Sequence, residues 1–280
     1  MDPQVYKDRI RDFYDLVSPY FRDLWGEHLH DGLYEAGDES KEAAQEKLVA
    51  FLACAARLPQ GARGLDVGCG MGATSVWLAR HLGCRMTGIT LSSVQVEIAR
   101  QLAAREQVDV RFLLGDAEAA SFDDTFDFIW MLGVLGHFCD QRAFLRTTPR
   151  LLHDGGRFVL ADWIVRPGVS ARDFARHVEP VLAGMLMPQI ASLDDYVGWF
   201  GENHYRVLES RDIAGVTRKT WDQGVTISQI PSLYRIARAR GRDAVALLKA
   251  IRGMRTAMAR GLIGYGVVLA ELEAGAGRAS

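Results

Sequence analysis

The feature that most constrains the fold of this chain is a glycine-rich stretch, residues 64–72, at the end of a short apolar run. Glycines stand at three alternate positions, Gly68, Gly70 and Gly72, and the apolar spacing after them is typical of a helix. Glycine allows a close approach to the backbone that a Cβ would block, and a helix start offers N–H groups to a ligand. The stretch therefore predicts a nucleotide-type ligand at the turn between a first strand and a first helix.

The glycine turn alone does not identify the ligand. Gly68, Gly70 and Ala73 also satisfy the fingerprint of dinucleotide-binding domains, and a glycine turn can be purely structural. Dinucleotide-binding domains usually end the second strand with an acidic residue that binds the ribose hydroxyls. The corresponding residue here is Thr90, and its neutral side chain weakens the interpretation as an NAD(P)-dependent oxidoreductase.

Composition narrows the class of protein further. Hydrophobic residues make up 49% of the 280 residues, enough for a large core, and the net charge of −2 lacks the basic surplus typical of nucleic-acid binders. The charged N-terminus is unlike a signal peptide, and no apolar run reaches the roughly 18 residues of a membrane span. The four cysteines form no C-x-x-C pair, which predicts a cytoplasmic protein without a metal site or disulfides.

Strands and helices alternate along the first part of the chain, which predicts an α/β fold with a doubly wound, mostly parallel sheet. Strands are predicted at 63–67, 85–89, 108–114, 126–130 and 157–161, with helices at 41–57, 73–82, 92–106 and 141–152. After residue 167 the regular alternation of strands and helices ends. There we expect a helix from residue 192, a strand at 205–213, helices within 228–240 and 242–260, and a last strand at 264–272.

The limits of this alternating pattern divide the chain into four predicted parts. Residues 1–40 form an N-terminal arm, either packed on the core or acting as a lid, with a short helix at 5–13. Residues 41–166 form the α/β core, and 167–191 an insertion over the carboxyl edge of the sheet. Residues 192–280 complete the fold and supply helices to the pocket of a hydrophobic or aromatic small molecule.

Two titratable residues follow predicted strands at the edge where open sheets place their sites. His137 comes after the fourth strand, and Asp162 comes directly after the fifth. His137 is the first candidate for a general base, and Asp162 either orients it or acts alone. The alternatives are a histidine bonded to the backbone at a helix start and a carboxylate that caps a turn.

The order of motifs resembles that of class I S-adenosylmethionine (SAM)-dependent methyltransferases. The matching segments are 65–72, with an acid before the glycines, 115–117 after the third strand, 126–130, and 151–157 before the fifth strand. The resemblance implies a seven-stranded, Rossmann-like sheet, SAM as the cofactor and S-adenosylhomocysteine as its product.

A narrower resemblance extends over more of the chain. Residues 13–34 are similar to the N-terminal arm of tocopherol methyltransferase-like enzymes, and 88–95 to a motif that these share with cyclopropane-fatty-acid synthases. Residues 261–266 resemble their closing hairpin, whereas 168–260 match no motif. Segment 131–139 departs from many tocopherol methyltransferases, because no acidic residue precedes its histidine.

The resemblance implies a set of cofactor-binding residues. Asp66 and the glycines would hold the methionine moiety, Thr90, Leu91 and Gln95 the ribose and adenine side, and Asp116 the adenine amino group. The complete set is Tyr14, His30, Gly32, Tyr34, Asp66, Gly68, Gly70, Gly72, Thr90, Leu91, Gln95, Asp116, Ala117, Leu132 and His137.

The implied activity is methyl transfer to a small, hydrophobic or aromatic acceptor, with oxygen favoured over nitrogen or carbon. A hydroxyl acceptor must lose its proton, whereas an amine needs no strong base. Cyclopropane-type lipid chemistry and a non-catalytic SAM-binding module remain as alternatives. The expected partner is a small molecule, with no nucleic acid and no stable membrane insertion, and the protein is expected to be a monomer or homodimer.

Overall fold

The computed structural model describes residues 2–222, 238 and 242–275, and a seven-stranded sheet lies at its centre. The strand order is β3-β2-β1-β4-β5-β7-β6, with β7 antiparallel to both β5 and β6 and the other pairs parallel. The predicted doubly wound, mostly parallel sheet is confirmed. The strands are β1 Arg63–Val67, β2 Arg85–Thr90, β3 Val110–Leu114, β4 Phe126–Leu132, β5 Leu152–Val165, β6 Tyr205–Asp212 and β7 Ile263–Leu272.

Helices cover both faces of the sheet. They are α1 Pro3–Trp25, α2 Lys41–Ala55, α3 Ala73–Leu82, α4 Ser93–Arg105, α5 Gln141–Thr147, α6 Ala171–Asp173, α7 Glu179–Gly184, α8 Leu193–Glu202, α9 Ala214–Thr217, α10 Lys219–Asp222 and α11 Arg242–Ala259. Leu135–His137 and Pro149–Leu151 are 3₁₀ turns, and Phe174–Val178 is a π-helical turn. The helix predicted within 228–240 lies outside the described residues.

Buried side chains alternate along the central strands and fill two cores. On β4, Phe128 and Trp130 belong to one core, while Ile129 and Met131 belong to the other. The chain leaves the middle of the sheet in opposite directions from β1 and β4, which lie side by side. This reversal opens a crevice at the carboxyl ends of the two strands, where ligands of open α/β sheets bind.

The N-terminal helix is much longer than the predicted 5–13. α1 has 23 residues, beginning at Pro3 after an Asp2 cap that accepts a hydrogen bond from the backbone of Gln4. Proline suits the first turn of a helix, where its missing N–H has no partner to lose. Ile10 and Val17 are buried on one face of α1, and the aromatic segment of the predicted arm continues the same helix as far as Trp25.

Two boundaries near the fifth strand also differ from the prediction. The helix predicted at 141–152 ends at Thr147, because Pro149 cannot donate a helical hydrogen bond. β5 extends from Leu152 to Val165 because β7 pairs with its second half as far as Val165. Among the described residues, none of the helices has both the length and the hydrophobicity needed to cross a membrane.

Candidate active site

The glycine turn forms one wall of the crevice. Gly68, Gly70 and Gly72 all have positive φ, at 69°, 54° and 83°. A Cβ on Gly68 would lie 2.2 Å from Cγ2 of Val134, so a larger residue could not keep this geometry. α3 begins after Gly72 with no side chain capping its first N–H groups. The turn thus presents backbone N–H groups at the mouth of β1.

Asp66 lies just before the turn and is only 3% exposed. Its Oδ2 accepts a 2.6 Å hydrogen bond from the hydroxyl of Ser75 on α3. Burial raises the pKa of Asp66 to about 7, although the Ser75 hydrogen bond acts in the opposite direction. A buried carboxylate of this kind is best suited to a cationic partner, which would favour its charged form.

The end of β2 is organised around Thr90. Its hydroxyl donates a 2.6 Å hydrogen bond to the side-chain oxygen of Gln95, which leaves the amide nitrogen of Gln95 out of this bond. Ser92 caps α4, and its hydroxyl also donates to the carboxylate of Asp15, 2.5 Å away on α1. The start of α4 and the middle of α1 are therefore joined beside Thr90.

A second link between α1 and the crevice lies at the end of β3. The Nζ of Lys7 lies 2.6 Å from the carboxylate of Asp116 and 2.7 Å from that of Glu118. Burial alone would lower the pKa of Lys7, but its hydrogen bonds to these two carboxylates outweigh that effect and raise it. Asp116, predicted to bind adenine, therefore already carries one hydrogen-bond donor from α1.

His137 ends the turn after β4, and both of its ring nitrogens have partners. Nδ1 lies 2.9 Å from the carbonyl oxygen of Leu186, and Nε2 lies 2.9 Å from the hydroxyl of Tyr14. A carbonyl can only accept, so Nδ1 carries the proton and the lone pair of Nε2 accepts the Tyr14 O–H. Burial lowers the pKa of His137 and raises that of Tyr14, so both are neutral near pH 7.

The carboxylate of Asp162 stabilises the turn Leu135–His137 through a backbone hydrogen bond. Its Oδ2 accepts a 3.0 Å hydrogen bond from the backbone N–H of Gly136, and its Oδ1 accepts a 2.7 Å bond from that of Trp163. Burial raises the pKa of Asp162 to about 6, against the lowering effect of these N–H groups. The geometry is that of a carboxylate capping a turn, one of the alternatives that the sequence left open.

These elements enclose a cavity of about 200 Å³. Most of the predicted site residues line it. They are Tyr14, His30, Asp66, Gly68, Gly70, Thr90, Leu91, Gln95, Asp116, Ala117, Leu132 and His137. Segments far apart in sequence, from α1 to the end of β4, thus converge on one space.

Four predicted site residues lie outside the cavity wall: Gly32, Tyr34, Gly72 and Asp162. Gly32 packs against α2, where a Cβ would come within 2.7 Å of that of Ala44, and Tyr34 is buried with its N–H bonded to the carbonyl of Val216. Gly72 faces Ala99 and Phe112, so its missing Cβ serves helix packing. The glycine and aromatic residues of the arm therefore hold it to the core beside the crevice.

The structure also adds lining residues that the sequence did not indicate, chiefly at the end of the cavity near β5 and β7. They include His28, Asp31, Trp163, Tyr265 and Ile251, and Trp221 lines the same end. Asp31 stands between two predicted site residues, His30 and Gly32, and that position is the one signal that could have drawn attention to it. From the predicted insertion 167–191, Met185 lines the cavity.

Comparisons with known proteins agree with this architecture. A family profile described as a methyltransferase domain matches residues 65–160, which run from β1 through most of β5. The chain is 32% identical over 212 residues to 27-O-demethylrifamycin SV methyltransferase of Amycolatopsis mediterranei, which covers 74% of this chain and 77% of that protein.

Two further proteins extend the comparison. Tocopherol O-methyltransferase of Arabidopsis thaliana is 27% identical over 243 residues, which cover 79% of this chain and 67% of that protein. Among solved structures, a mycolic acid cyclopropane synthase bound to S-adenosylhomocysteine superposes with a TM-score of 0.82 at 23% identity. That superposition covers 95% of this chain and 98% of the synthase, and it shows a shared fold.

Proposed function

The chain belongs to the class I SAM-dependent methyltransferases that act on small molecules, and from this premise we propose that it methylates a hydroxyl group of a hydrophobic or aromatic acceptor. Membership of this family excludes the NAD(P)-dependent oxidoreductase, an alternative with which the glycine turn alone was compatible. The observation that carries the proposal is the neutral Tyr14–His137 pair in the cavity wall, since a hydroxyl acceptor needs a place for its proton.

The residues around the glycine turn fit SAM. When bound, SAM supplies a methyl group on a positively charged sulfur, so that displacement by a nucleophile needs chiefly correct positioning. The carboxylate of Asp66 would accept from the ammonium group of the methionine moiety, and the uncapped N–H groups of α3 would meet its carboxylate. Gln95 and Asp116 would hold the ribose and the adenine amino group.

The proton of the acceptor would leave through Tyr14. The acceptor O–H donates to the hydroxyl oxygen of Tyr14, while Tyr14 passes its own proton to Nε2 of His137. The acceptor oxygen keeps the electron pair of its O–H bond, and this pair would form the new bond to the methyl group while the sulfur of SAM keeps the pair of the bond that breaks. The lowered pKa of His137 keeps it neutral before the reaction, as a base must be.

Asp162 is a positioning residue in this proposal. It holds the backbone of Gly136 and so fixes the turn that carries His137. The carbonyl of Leu186 fixes the imidazole from the other side and determines which nitrogen accepts the proton. His137 is thus held on both sides, which is the condition for proton transfer at a defined distance.

The remaining wall favours an apolar acceptor. Phe13, Trp25 and Trp221 line the cavity together with Ile251 and Met185. Aromatic and aliphatic walls with a few polar groups are typical of sites for hydrophobic small molecules. The relatives named for rifamycin and tocopherol O-methylation support a hydroxyl on such a molecule, and their reactions suggest phenols and macrocyclic alcohols as the first candidates.

The test is transfer of a labelled methyl group from SAM to phenols, alkylated hydroquinones, macrocyclic alcohols and matched amines. We expect an O-methylated product and a fall in kcat of about 100- to 1,000-fold for His137→Ala, since general-base catalysis supplies factors of this size. The Kd of SAM should change much less, and Tyr14→Phe should lower kcat while the ring keeps its place.

The matched control is His153→Ala, which removes an exposed histidine that bonds only to the side chain of Thr125 among the described residues. Its kcat should equal that of the unmodified protein. Methylation of amines alone, or equal losses of kcat and SAM affinity in His137→Ala, would overturn the assignment of His137 as the base.

A further inference from the structure

A buried carboxylate with one unpartnered oxygen lies in the cavity wall away from Tyr14 and His137. Asp31 is 2% exposed and lines the cavity. Its Oδ2 accepts a 3.2 Å hydrogen bond from the indole of Trp163, whereas its Oδ1 has no hydrogen-bond partner among the described residues. Leaving such an atom buried and unpaired costs about 1–3 kcal/mol.

The backbone around Asp31 is held in place. The side-chain amide of Gln45 donates to the carbonyls of His28 and His30, at 2.8 and 2.9 Å. Nδ1 of His30 lies 2.8 Å from the carbonyl of Asp31 and must donate to it, which leaves Nε2 of His30 to accept from His28. The unpartnered oxygen of Asp31 therefore belongs to a side chain whose backbone is fixed by hydrogen bonds.

The two histidines do not neutralise the carboxylate. Burial lowers the pKa of His30 to about 4 and that of His28 well below its usual value, so neither carries a positive charge near pH 7. Burial also raises the pKa of Asp31 to about 7, partly offset by the indoles of Trp163 and Trp221. The indole N–H of Trp221 faces the same carboxylate, but its geometry falls short of a hydrogen bond within the described chain.

A second unpartnered polar group lies beside Asp31. Tyr265 on β7 is 1% exposed, lines the cavity, and its hydroxyl has no partner in the described part of the chain. It stands directly opposite Trp163 in the antiparallel pairing of β5 and β7, so both side chains leave the same face of the sheet. Burial raises the pKa of Tyr265, and the charges of Asp31 and Asp162 raise it further.

The surroundings of this pair are aromatic. Trp221 packs edge-on against Trp163 with ring centroids 5.5 Å apart, and Trp25 lies 5.3 Å from Trp221. Folded proteins leave few buried polar atoms unpaired. Four residues that line this apolar cavity hold such an atom among the described residues: Trp25, Asp31, Trp221 and Tyr265. The two oxygens among them, on Asp31 and Tyr265, indicate that a ligand completes their hydrogen bonds.

We propose that Asp31 and Tyr265 form a second hydroxyl-binding site, which binds a hydroxyl group of the acceptor other than the one that is methylated. That hydroxyl donates to Oδ1 of Asp31 and accepts from the O–H of Tyr265. No side-chain hydrogen bond between described residues joins this pair to Tyr14 or His137, so the cavity has two separate hydroxyl-binding sites. The acceptor is thus a diol or hydroquinone with an apolar skeleton between its hydroxyls.

This assignment rests on the proposed methyl transfer to a hydroxyl, and its test separates the two. Three probes of one skeleton are titrated into protein saturated with S-adenosylhomocysteine: naphthalene, 2-naphthol and 2,6-dihydroxynaphthalene. We expect the diol to bind at least about tenfold more tightly than 2-naphthol, as a completed buried hydrogen-bond site requires. Asp31→Leu should reduce that ratio to about one, and Tyr265→Phe should reduce it in part.

The matched control is Tyr196→Phe. Tyr196 is also 1% exposed with an unpartnered hydroxyl among the described residues, but it lies in the other core and does not line the cavity. This variant should keep the ratio. Unchanged affinity for S-adenosylhomocysteine and 2-naphthol shows that each variant is folded; should Asp31→Leu fail that criterion, Tyr265→Phe decides alone.

If the unmodified protein binds the diol and 2-naphthol equally well, the second hydroxyl-binding site is rejected. It is also rejected if the preference for the diol remains after both substitutions. Transfer of a labelled methyl group to the same naphthols is measured in parallel. If the unmodified protein prefers the diol but transfers no methyl group to oxygen at pH 8, the proposed reaction is rejected and the assignment of Asp31 and Tyr265 stands. O-methylation without a diol preference rejects the pair and leaves the reaction.

Discussion

The two ends of the cavity satisfy their polar groups in opposite ways. At the end formed by β1, β2 and β3, Asp66 is bonded to Ser75, Thr90 to Gln95, and Asp116 to Lys7. At the end formed by β5 and β7, Asp31 and Tyr265 each keep an unpaired buried oxygen among the described residues. At the first end these three side chains already have partners within the protein, and we call it the complete end. The second end, with two oxygens that lack a partner among the described residues, is the unpaired end.

This difference follows from what each end has to bind under our proposal. The donor is the same molecule throughout the family, so its site can be built from backbone turns and short side chains bonded to one another. The acceptor differs between family members, and its site is built from single side chains on distant segments. Unpaired groups lower stability, a cost that binding sites commonly carry in exchange for selectivity.

The sharpest test of the contrast is Asp66→Ala. We expect SAM affinity to fall by about 100-fold or more, since a charged, buried hydrogen bond to the ligand is lost, while 2-naphthol binding changes little. Calorimetric titration of both ligands measures this directly. Asp154→Asn, an exposed position near the start of β5, serves as the control and should leave both affinities unchanged. Equal losses for the two ligands would mean that the ends are not independent.

A smaller effect is expected on the free energy of unfolding when the carboxylate of Asp31, at the unpaired end, is replaced by a neutral amide. Burial raises the pKa of Asp31 to about 7, above the value near 3.9 of an unfolded aspartate, so the folded state retains a proton between these values. Stability therefore decreases as the pH rises from about 4 to 7. We expect Asp31→Asn to be about 2 kcal/mol more stable than the unmodified protein at pH 8, and to show little difference at pH 4.5.

Denaturant unfolding at the two pH values measures this difference. Asp66, whose pKa burial also raises, is present in both proteins and cancels in the comparison. The charge of Asp162 contributes to the raised pKa of Asp31, so its effect is part of the measured difference. A gain in stability of equal size at pH 4.5 and pH 8 would show that the charge of Asp31 is not its source.

The smallest effect is expected from the ion pairs that join α1 to the complete end. Lys7→Met should speed SAM release by up to about fivefold, since partly exposed ion pairs contribute at most about 1 kcal/mol. Added salt should shrink the difference. Lys47→Met removes a lysine that pairs with Glu35 and Glu39 away from the cavity, and stopped-flow measurements should show no change in release. Identical effects of both substitutions would contradict a local role for Lys7.

The sequence predicted the complete end far better than the unpaired one. The strand, the glycines and Asp66 lie within a few residues of each other, so local rules on backbone conformation locate them. Asp31 and Trp163 are 132 positions apart, and only the β5–β7 register places Tyr265 beside them. Periodicity cannot supply such a contact, and the sequence offered no signal for it.

The wrong boundaries have equally specific causes. α1 continues past residue 13 because its aromatic residues keep a helical apolar face, whereas the prediction ended the helix there and assigned those residues to an arm or lid. Gly32 and Tyr34 were expected at the cofactor because their motif resembles the family's arm. Their distance from the cavity depends on Ala44 and Val216, which lie on other elements and cannot be inferred from the motif.

The way α1 is fastened has a consequence for the timing of each catalytic cycle. Lys7, Tyr14 and Asp15 connect it to three separate strand ends, and Glu27 just beyond it pairs with Arg105 through two 2.8 Å bonds. A helix attached at several weak points can detach stepwise, so no single contact controls its opening. We therefore expect the exchange of spent donor for fresh donor to require all of these contacts to open, so that each contact removed speeds the exchange by its own factor.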